Sequence, residues 1–376
     1  MISPKLFVDT LVADGLDFFA GVPDSLLKQM CAYITDNLDS RHNIIAANEG
    51  GAMGLAAGHY LATGKPGVVY MQNSGEGNII NPLASLVDKE VYDIPVLLVI
   101  GWRGKPGVHD EPQHVKQGKV TLGLLDTMGV SYEVLSKDKT EAKVQITKAV
   151  TTVKVGNIFA LVIEKDTFET YKLQQEEILK TLSMTREEAI YEVAGAIEED
   201  AAIVSTTGMI SRELFEYRTS MNEGHEKDFL TVGSMGHASQ IALGIALEKP
   251  NRRVYCFDGD GASIMHMGNM AIVAQQKLGN YVHVVFNNGA HDSVGGQPTV
   301  GLKINMPAVA KAIGYNTVLN VETKEKLDEA LKIIATAKGP VFLQVCVRKG
   351  NRKDLGRPTT TPIQNKEALM SFLKNY

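Results

Sequence analysis

Two short groups of polar and small residues carry the strongest chemical signal in this 376-residue sequence. Asp-Gly-Asp-Gly at 258–261 directly follows an apolar run at 254–257, and Asn-Asn-Gly at 287–289 directly follows another at 282–286. Both runs are predicted strands joined by one helix, and in a right-handed βαβ unit the carboxyl ends of such strands lie side by side. Open α/β sheets bind ligands at that edge. The sequence therefore predicts a ligand site formed by both groups.

The residue types at this edge fit a diphosphate bridged by magnesium. The Asp260 carboxylate and the Asn288 amide oxygen are hard ligands, and with a backbone carbonyl just past Asn288 they suit Mg²⁺ better than zinc. Gly259 and Gly261 let the backbone approach a large anion, and the following helix turns its N-terminus toward that anion. The alternative interpretation is that the two groups are ordinary tight turns. It is the weaker one because the two groups follow consecutive strands.

Strands and helices are predicted to alternate through both halves of the chain, which indicates parallel sheets covered by helices on both faces. The predicted strands are 17–20, 44–47, 67–72, 94–101, 131–135 and 157–163, then 201–205, 254–257, 282–286 and 342–347. We expect an α/β protein with two doubly wound parallel-sheet domains, 1–165 and 184–376, and no middle domain. A polar linker is predicted at 166–183, and the charged segment after the last strand is a candidate lid.

Composition excludes several classes of protein. The chain is 44% hydrophobic and 22% charged, as in ordinary globular proteins. Its net charge of −5 argues against nucleic-acid binding, and its longest apolar run, 94–100, is too short to span a bilayer. Cys31, Cys256 and Cys346 are widely spaced, which favours packed thiols of a reducing compartment. Because the N-terminus lacks a basic-then-apolar signal pattern, we expect a cytoplasmic protein.

The two groups at 259–261 and 287–288 together resemble the cofactor motif of the thiamine diphosphate-dependent enzymes. The resemblance implies that Asp260, the side chain of Asn288 and the backbone carbonyl of Ala290 bind Mg²⁺, which bridges to the cofactor's diphosphate. It also implies a set of further cofactor contacts at strand ends and turns: Asn73, Thr207, Gly208, Ser234, Met235, Gly259, Gly261 and Ala262. His291 stands where the family has tyrosine, which leaves the metal assignment intact because only backbone nearby is a ligand.

Glu49 and Met235 match two more features of these enzymes. Glu49, in Asn-Glu-Gly-Gly-Ala at 48–52, resembles the catalytic glutamate that bonds the cofactor's aminopyrimidine ring across a subunit interface. A buried carboxylic acid can donate a proton to the ring nitrogen and favour the tautomer that removes the thiazolium C2 proton. A first-turn glutamate that complements the helix dipole is the alternative interpretation. Met235 would support the bent cofactor, although a lone methionine is more often core filler.

Among two-domain members the sequence resembles the phosphonopyruvate decarboxylases, with the sulfopyruvate decarboxylases next. The segments that carry the resemblance span nearly the whole chain: 19–25, 72–78 with 81–82, 101–104, 109–114, 292–299 and 354–358. It implies decarboxylation of 3-phosphonopyruvate to phosphonoacetaldehyde and CO₂ in phosphonate biosynthesis, of the kind that leads to 2-aminoethylphosphonate. It also implies a homodimer or higher homo-oligomer with active sites between subunits. Sulfopyruvate or another 2-oxo acid is the alternative substrate.

A phosphonate substrate requires cations and hydrogen-bond donors, which arginine supplies best. Two clusters offer them, the loop at 102–114 and the charged segment at 348–357, for which a solvated tail is the alternative interpretation. The predicted substrate residues are Ser25, Asn78, Arg103, His109, His114, Arg352 and Lys353.

Two other classes of protein fit the sequence less well than a decarboxylase. A nucleotide-dependent oxidoreductase is disfavoured because no Gly-x-Gly-x-x-Gly follows the first strand of either half. A non-catalytic cofactor-binding subunit is disfavoured because one chain carries both the metal motif and Glu49.

Overall fold

Two six-stranded parallel sheets organise the computed structural model, one in each of two units, Met1–Glu177 and Ile178–Tyr376. The structure describes residues 1–174 and 182–374. The linker predicted at 166–183 therefore lies partly outside the described residues. Its first part packs on the first unit, because Phe168 is 3% exposed and bridges Ile2.

The first unit alternates strands and helices along the chain. Its elements are α1 Pro4–Ala13, β1 Phe19–Gly21, α2 Lys28–Asn37, β2 Asn43–Ile45, α3 Glu49–Thr63, β3 Gly67–Gln72, α4 Glu76–Ala84, β4 Val96–Gly101, α5 Pro112–Thr127, β5 Ser131–Val134, α6 Lys139–Lys154 and β6 Phe159–Ile163. The strands lie in the order β2-β1-β3-β4-β6-β5. A 3-10 turn, Asn73–Gly75, connects β3 to α4.

The second unit repeats this alternation and adds a short hairpin. Its elements are α7 Arg186–Gly195, β7 Ala202–Ser205, α8 Met209–Ser220, β8 Asp228–Leu230, α9 Ala238–Glu248, β9 Val254–Gly259, α10 Asp260–Met265, α11 Gly268–Gln276, β10 Tyr281–Asn287, β11 Ala290–His291, β12 Gln297–Pro298, α12 Met306–Ile313, β13 Thr317–Val321, α13 Lys324–Thr336, β14 Val341–Cys346 and α14 Pro362–Lys374. The six-stranded sheet has the order β13-β14-β10-β9-β7-β8.

The two six-stranded sheets have the same topology. Numbered from the first strand of each unit, both read 2-1-3-4-6-5 across the sheet. The direction in which the chain winds reverses between the first and third strands, that is, between β1 and β3 and between β7 and β9. Ligands of doubly wound sheets bind in the crevice at such a reversal, beyond the carboxyl ends of the strands.

Burial on both faces explains why the central strands are continuous apolar runs. Every residue of β4 is buried, and its side chains alternate between two core layers, with Leu97 and Val99 in one and Leu98 and Ile100 in the other. In the second unit, β10 is buried along its whole length. These rigid central strands fix the turns at their carboxyl ends.

The predicted class, two doubly wound parallel-sheet domains, is confirmed. The structure adds strands that the sequence did not predict: β8, β11, β12 and β13. The first three have two or three residues each, and β13 is mostly half-buried, so none forms a clear apolar run. The single helix predicted between β9 and β10 is two helices, because the backbone leaves helical geometry at His266. No helix in the described ranges is long and apolar enough to cross a membrane.

Candidate active site

The carboxyl ends of β9 and β10 bring the predicted metal-binding residues together. The strands pair in register up to Gly259 opposite Phe286, so the turns that follow them are neighbours. Asp260 is 2% exposed and its carboxylate accepts hydrogen bonds from the hydroxyl of Thr299 and the backbone N–H of Asn288. Burial raises the pKa of Asp260 to about 6. A buried carboxylate of this kind gains from a bound cation.

The side chain of Asn288 is oriented by hydrogen bonds at both ends of its amide. Its Nδ2 donates to Asp292 Oδ2 at 2.7 Å, and its Oδ1 accepts from the Ala290 N–H at 3.0 Å. Asn288 and Ala290 are 4% and 8% exposed. The ligand atoms that the resemblance implies are therefore all oxygens in a sheltered place, a donor set that suits Mg²⁺.

Glycine at position 261 keeps the turn after β9 open. A Cβ there would lie 3.0 Å from the His291 ring and 3.5 Å from the terminal methyl of Met235. Met235 thus borders the same turn as Gly259 and Ala262. Burial also lowers the pKa of His291 to about 4, so this ring is neutral near pH 7. The residue types around the turn leave room for a large anion beside an apolar side chain.

The turns after β7 and β8 contribute hydroxyl groups next to the reversal of the sheet, which lies between β7 and β9. Thr207 Oγ1 accepts from the Gly233 N–H at 3.1 Å, and Ser234 follows with a left-handed backbone, φ 45°. Gly208 has φ 105°, a conformation that favours glycine. The hydroxyls of Thr206 and Thr231 are buried and have no hydrogen-bond partner among the described residues. Buried hydroxyls rarely lack partners, so this part of the site fits a polar ligand.

In the first unit, Glu49 lies at the N-terminus of α3 and is 4% exposed. Asn78 Nδ2 donates to Glu49 Oε2 at 2.6 Å. A Cβ on Gly75 would come within 2.4 Å of Glu49 Oε1, so only glycine at 75 accommodates the carboxyl group in this position. Asn78, which we predicted to bind substrate, contacts Glu49.

Also in the first unit, Asp24 is fully buried and contacts Gln72 at the end of β3. Gln72 Nε2 donates to its Oδ1 at 2.5 Å, and the Leu26 N–H donates to its Oδ2 at 2.8 Å. Burial raises the pKa of Asp24 above its usual range. Asp24 was not among the predicted site residues, although its position directly before Ser25 could have indicated a place in the site.

Arg103 is held by Asp110 and Ser25. Its guanidinium bonds both carboxylate oxygens of Asp110, at 2.8 and 2.5 Å, and its Nη1 donates to Ser25 Oγ at 2.7 Å. Burial would raise the pKa of Asp110, but hydrogen bonds from Arg103 and from two backbone N–H groups hold this pKa well below its usual range. The predicted substrate residues Ser25 and Arg103 are therefore neighbours.

The other predicted residues of this region have different surroundings. Burial and the charge of Arg103 lower the pKa of His114, which is 7% exposed, whereas His109 is exposed. Asn73, a predicted cofactor contact, donates from its Nδ2 to the Arg103 carbonyl and to Thr121 Oγ1 at 2.8 and 2.9 Å. The amide of Asn73 therefore connects the turn after β3 to the loop after β4 and to α5.

The segment 348–357, which we call the strap, is fastened to the second unit. Arg352 contacts the carboxylates of Glu187, Glu216 and Asp354. Arg212 donates to the carbonyls of Leu355 and Gly356. The predicted lid therefore has a defined docked position. Lys353, the other predicted substrate residue of the strap, is exposed.

Comparison with known proteins assigns both units to related families of domains. Residues 4–125 match the family described as "Thiamine pyrophosphate enzyme, N-terminal TPP binding domain". Residues 206–345 match "Thiamine pyrophosphate enzyme, C-terminal TPP binding domain". The two matched ranges lie in the two structural units.

Relatives of known name align along nearly the whole chain. The sequence is 33% identical to the phosphonopyruvate decarboxylase of Streptomyces viridochromogenes over 99% of this chain and 95% of that protein. It is 28% identical to the sulfopyruvate decarboxylase of Methanosarcina acetivorans over 92% of this chain and 91% of that protein. A sulfopyruvate decarboxylase subunit beta of Methanothermobacter thermautotrophicus is 36% identical over 45% of this chain.

Proposed function

We propose that this chain, which belongs to the phosphonopyruvate decarboxylase family of thiamine pyrophosphate enzymes, decarboxylates 3-phosphonopyruvate to phosphonoacetaldehyde and CO₂. The observation that carries the substrate is the full-length similarity to a phosphonopyruvate decarboxylase, which exceeds the similarity to a full-length sulfopyruvate decarboxylase. Sulfopyruvate is the second candidate substrate, because a relative with that name also aligns with both units.

The second unit has the residues to hold the diphosphate through Mg²⁺. Asp260 supplies a carboxylate, Asn288 an amide oxygen and Ala290 a backbone carbonyl, while Gly259 and Gly261 leave room for the anion. We assign Thr207, Gly208, Ser234 and Ala262 to the surroundings of the cofactor, because the first three follow the ends of β7 and β8 and Ala262 lies at the start of α10. When bound, thiamine diphosphate supplies the carbon nucleophile and the electron sink for the decarboxylation of a 2-oxo acid.

In the first unit, we assign proton donation to Glu49. Its carboxyl group is buried, and Asn78 holds one of its oxygens, which fixes the direction of the group. Gly75 packs directly against the carboxyl group, because a Cβ there would overlap Oε1. From this position the Glu49 carboxyl group can share a proton with a ring nitrogen of a bound ligand.

For the phosphonate, the surroundings of Arg103 favour binding more than those of Arg352. The guanidinium of Arg103 forms direct contacts with one carboxylate, that of Asp110, and with the hydroxyl of Ser25, while Asp24 and Glu111 act on it only through their charges. Arg352 is already surrounded by three carboxylates, so a phosphonate dianion placed beside it would meet excess negative charge. We therefore assign the phosphonate to Ser25 and Arg103, with His109 on the same loop as Arg103 and His114 in the first turn of α5.

Replacement of Arg103 by alanine is expected to raise the KM for phosphonopyruvate about tenfold or more and the KM for pyruvate much less. An ionic hydrogen bond contributes about 1.5–3 kcal/mol to the binding free energy. Pyruvate has no phosphonate, so it does not form this bond and its affinity does not depend on it. Steady-state kinetics with both acids measure the difference. Asp110 keeps its backbone N–H donors from Gly104 and Glu111 in the variant, which favours a folded protein.

The comparison variant for this prediction is Arg352→Ala. It removes an arginine of the other cluster, and we expect its KM values for the two acids to change by the same small factor. A selective loss of phosphonopyruvate affinity in Arg352→Ala, with no selectivity in Arg103→Ala, would move the phosphonate to the strap.

We further propose that each active site is shared by two copies of the chain. Gly54 and Gly58 on α3 and Gly244 on α9 have open space where a Cβ would stand, so packing within the described chain does not require glycine there. Helices with such small residues permit close approach by another subunit. The pairing of Glu49 from one copy with Asp260 from the other follows from this proposal.

A mixture of Glu49→Gln and Asp260→Ala subunits is expected to regain activity that neither variant has alone. A mixed dimer has one site with both replacements and one site with none. The recovery is measured after subunit exchange has been demonstrated by native mass spectrometry. Absence of recovery in exchanged dimers would mean that both residues of a site come from the same chain.

The experiment that tests the substrate is a comparison of kcat/KM for phosphonopyruvate, sulfopyruvate and pyruvate with the purified, cofactor-saturated protein. We expect phosphonopyruvate to have the highest value. A higher value for sulfopyruvate would assign the second candidate function.

A further inference from the structure

Asp292 is a point at which three separate segments of the second unit meet. Its Oδ2 accepts from Arg186 Nη1 at 2.9 Å, from Asn288 Nδ2 at 2.7 Å and from the Gly350 N–H at 3.0 Å. One carboxylate oxygen thus connects the start of α7, the turn after β10 and the strap.

Arg186 in turn is fixed by Glu213 on α8. Its Nε and Nη2 bond both carboxylate oxygens of Glu213, at 2.8 and 2.9 Å. The side chains of Arg186, Glu213 and Asp292 are 5%, 2% and 7% exposed. Paired charges with so little access to water have few alternative arrangements, since any broken contact leaves a buried charge without its partner. Asp292 is therefore held in one position by groups outside its own loop.

This position determines which end of the Asn288 amide is available to a cation. Because Nδ2 is bound to Asp292, the amide cannot rotate by half a turn without placing its oxygen against the carboxylate. The acceptor end, Oδ1, is then the end that faces away from Asp292 and receives the Ala290 N–H. An amide that turned over would present N–H donors, which cannot bind a metal ion.

We propose that Asp292, held by Arg186, is a positioning residue that orients the metal-binding oxygen of Asn288. The inference rests on the proposed role of Asn288 as a magnesium ligand. A residue that orients a ligand commonly affects metal affinity about 10–100-fold when it is replaced. A purely structural contact would instead alter stability and leave the affinity of the folded protein unchanged.

The test is the affinity for Mn²⁺, a paramagnetic substitute for Mg²⁺, measured by electron paramagnetic resonance with thiamine diphosphate present. Asp292→Ala removes the acceptor and is expected to weaken Mn²⁺ binding about 10–100-fold. Asp292→Asn keeps an oxygen that can accept the same three hydrogen bonds, so its loss should be clearly smaller. Thermal unfolding of each variant checks that the folded protein is compared.

Glu223→Ala is the matched control. Arg218 repeats the same arrangement, with Asp228 bonded at 2.9 and 3.0 Å and a single contact of 2.6 Å to Glu223. Removal of Glu223, which is 36% exposed, breaks a single contact of a buried arginine that does not touch Asn288, so Mn²⁺ affinity should equal that of the wild type. A loss as large as that of Asp292→Ala would contradict the positioning role.

Two other results would also overturn the inference. Wild-type affinity in folded Asp292→Ala would show that Asp292 does not orient the ligand, and equal losses in the alanine and asparagine variants would assign the effect to charge.

If Asp292→Ala does not fold, Arg186→Lys replaces it, because lysine cannot bond Glu213 twice and Asp292 at once. Arg186→Lys should then weaken Mn²⁺ binding, and unchanged affinity contradicts the proposal. Failure of the proposed metal site itself is separate: Asp260→Ala would then keep wild-type Mn²⁺ affinity.

Discussion

Glu49→Gln is expected to lower kcat by about 10²–10⁴-fold while the protein still binds thiamine diphosphate. Glutamine keeps the size of the side chain and can still contact Asn78, but it has no acidic proton to donate. General acid–base groups commonly contribute a factor of this size. The measurement is kcat with saturating phosphonopyruvate, together with the cofactor dissociation constant from calorimetry.

Gly75→Ala provides a geometric counterpart to this prediction. The added methyl group would overlap the Glu49 carboxyl group, so the side chain must move and kcat should fall with Glu49 chemically intact. Gly77→Ala is the matched control, because a Cβ there has no described atom within 4 Å. Normal turnover in Glu49→Gln would contradict the proton-donor role. Equal decreases of kcat in Gly75→Ala and Gly77→Ala would contradict the geometric argument.

Asp260→Ala is expected to abolish the Mg²⁺-dependent component of thiamine diphosphate binding. The variant loses the one charged side chain among the proposed ligands, so the diphosphate loses the cation that offsets its charge. Since even residues that only support a metal ligand contribute about 10–100-fold in affinity, loss of a direct ligand should weaken binding about 100-fold or more. Isothermal calorimetry with and without Mg²⁺ measures both contributions.

Asp354→Ala is the control for removal of a negative charge from the same unit. Its side chain is 81% exposed and contacts Arg352, so cofactor affinity should stay at the wild-type value. Undiminished affinity in Asp260→Ala would mean that the turn after β9 does not hold the metal ion.

The parts of the molecule that the sequence predicted well depend on local patterns. The strand ends around Asp260 and Asn288 were predictable because a short apolar run and a polar turn follow one another directly in the chain. The strand at Gly67–Gln72 was predicted with its observed bounds for the same reason. The edge strand β8 was not predicted, because its three residues are too few to form a recognisable pattern.

The parts that the sequence could not predict depend on contacts between distant residues. Nothing near Asp292 in the chain indicates that Arg186 and Gly350 bind the same carboxylate oxygen. The three carboxylates around Arg352 were hidden in the same way, since Glu187 and Glu216 lie far from it in the sequence. The basic residues of the strap thus predicted an anion site, but the arginine in question, Arg352, is already paired with carboxylates.

The most direct test of the central claim is a ³¹P NMR assay of purified protein with phosphonopyruvate. With thiamine diphosphate and Mg²⁺ present, the phosphonopyruvate signal should be replaced by that of phosphonoacetaldehyde as an equal amount of CO₂ is released. Protein stripped of the cofactor should leave the substrate unchanged, and addition of thiamine diphosphate should restore the conversion. Phosphonopyruvate that persists with the cofactor-saturated, folded protein would contradict the assignment.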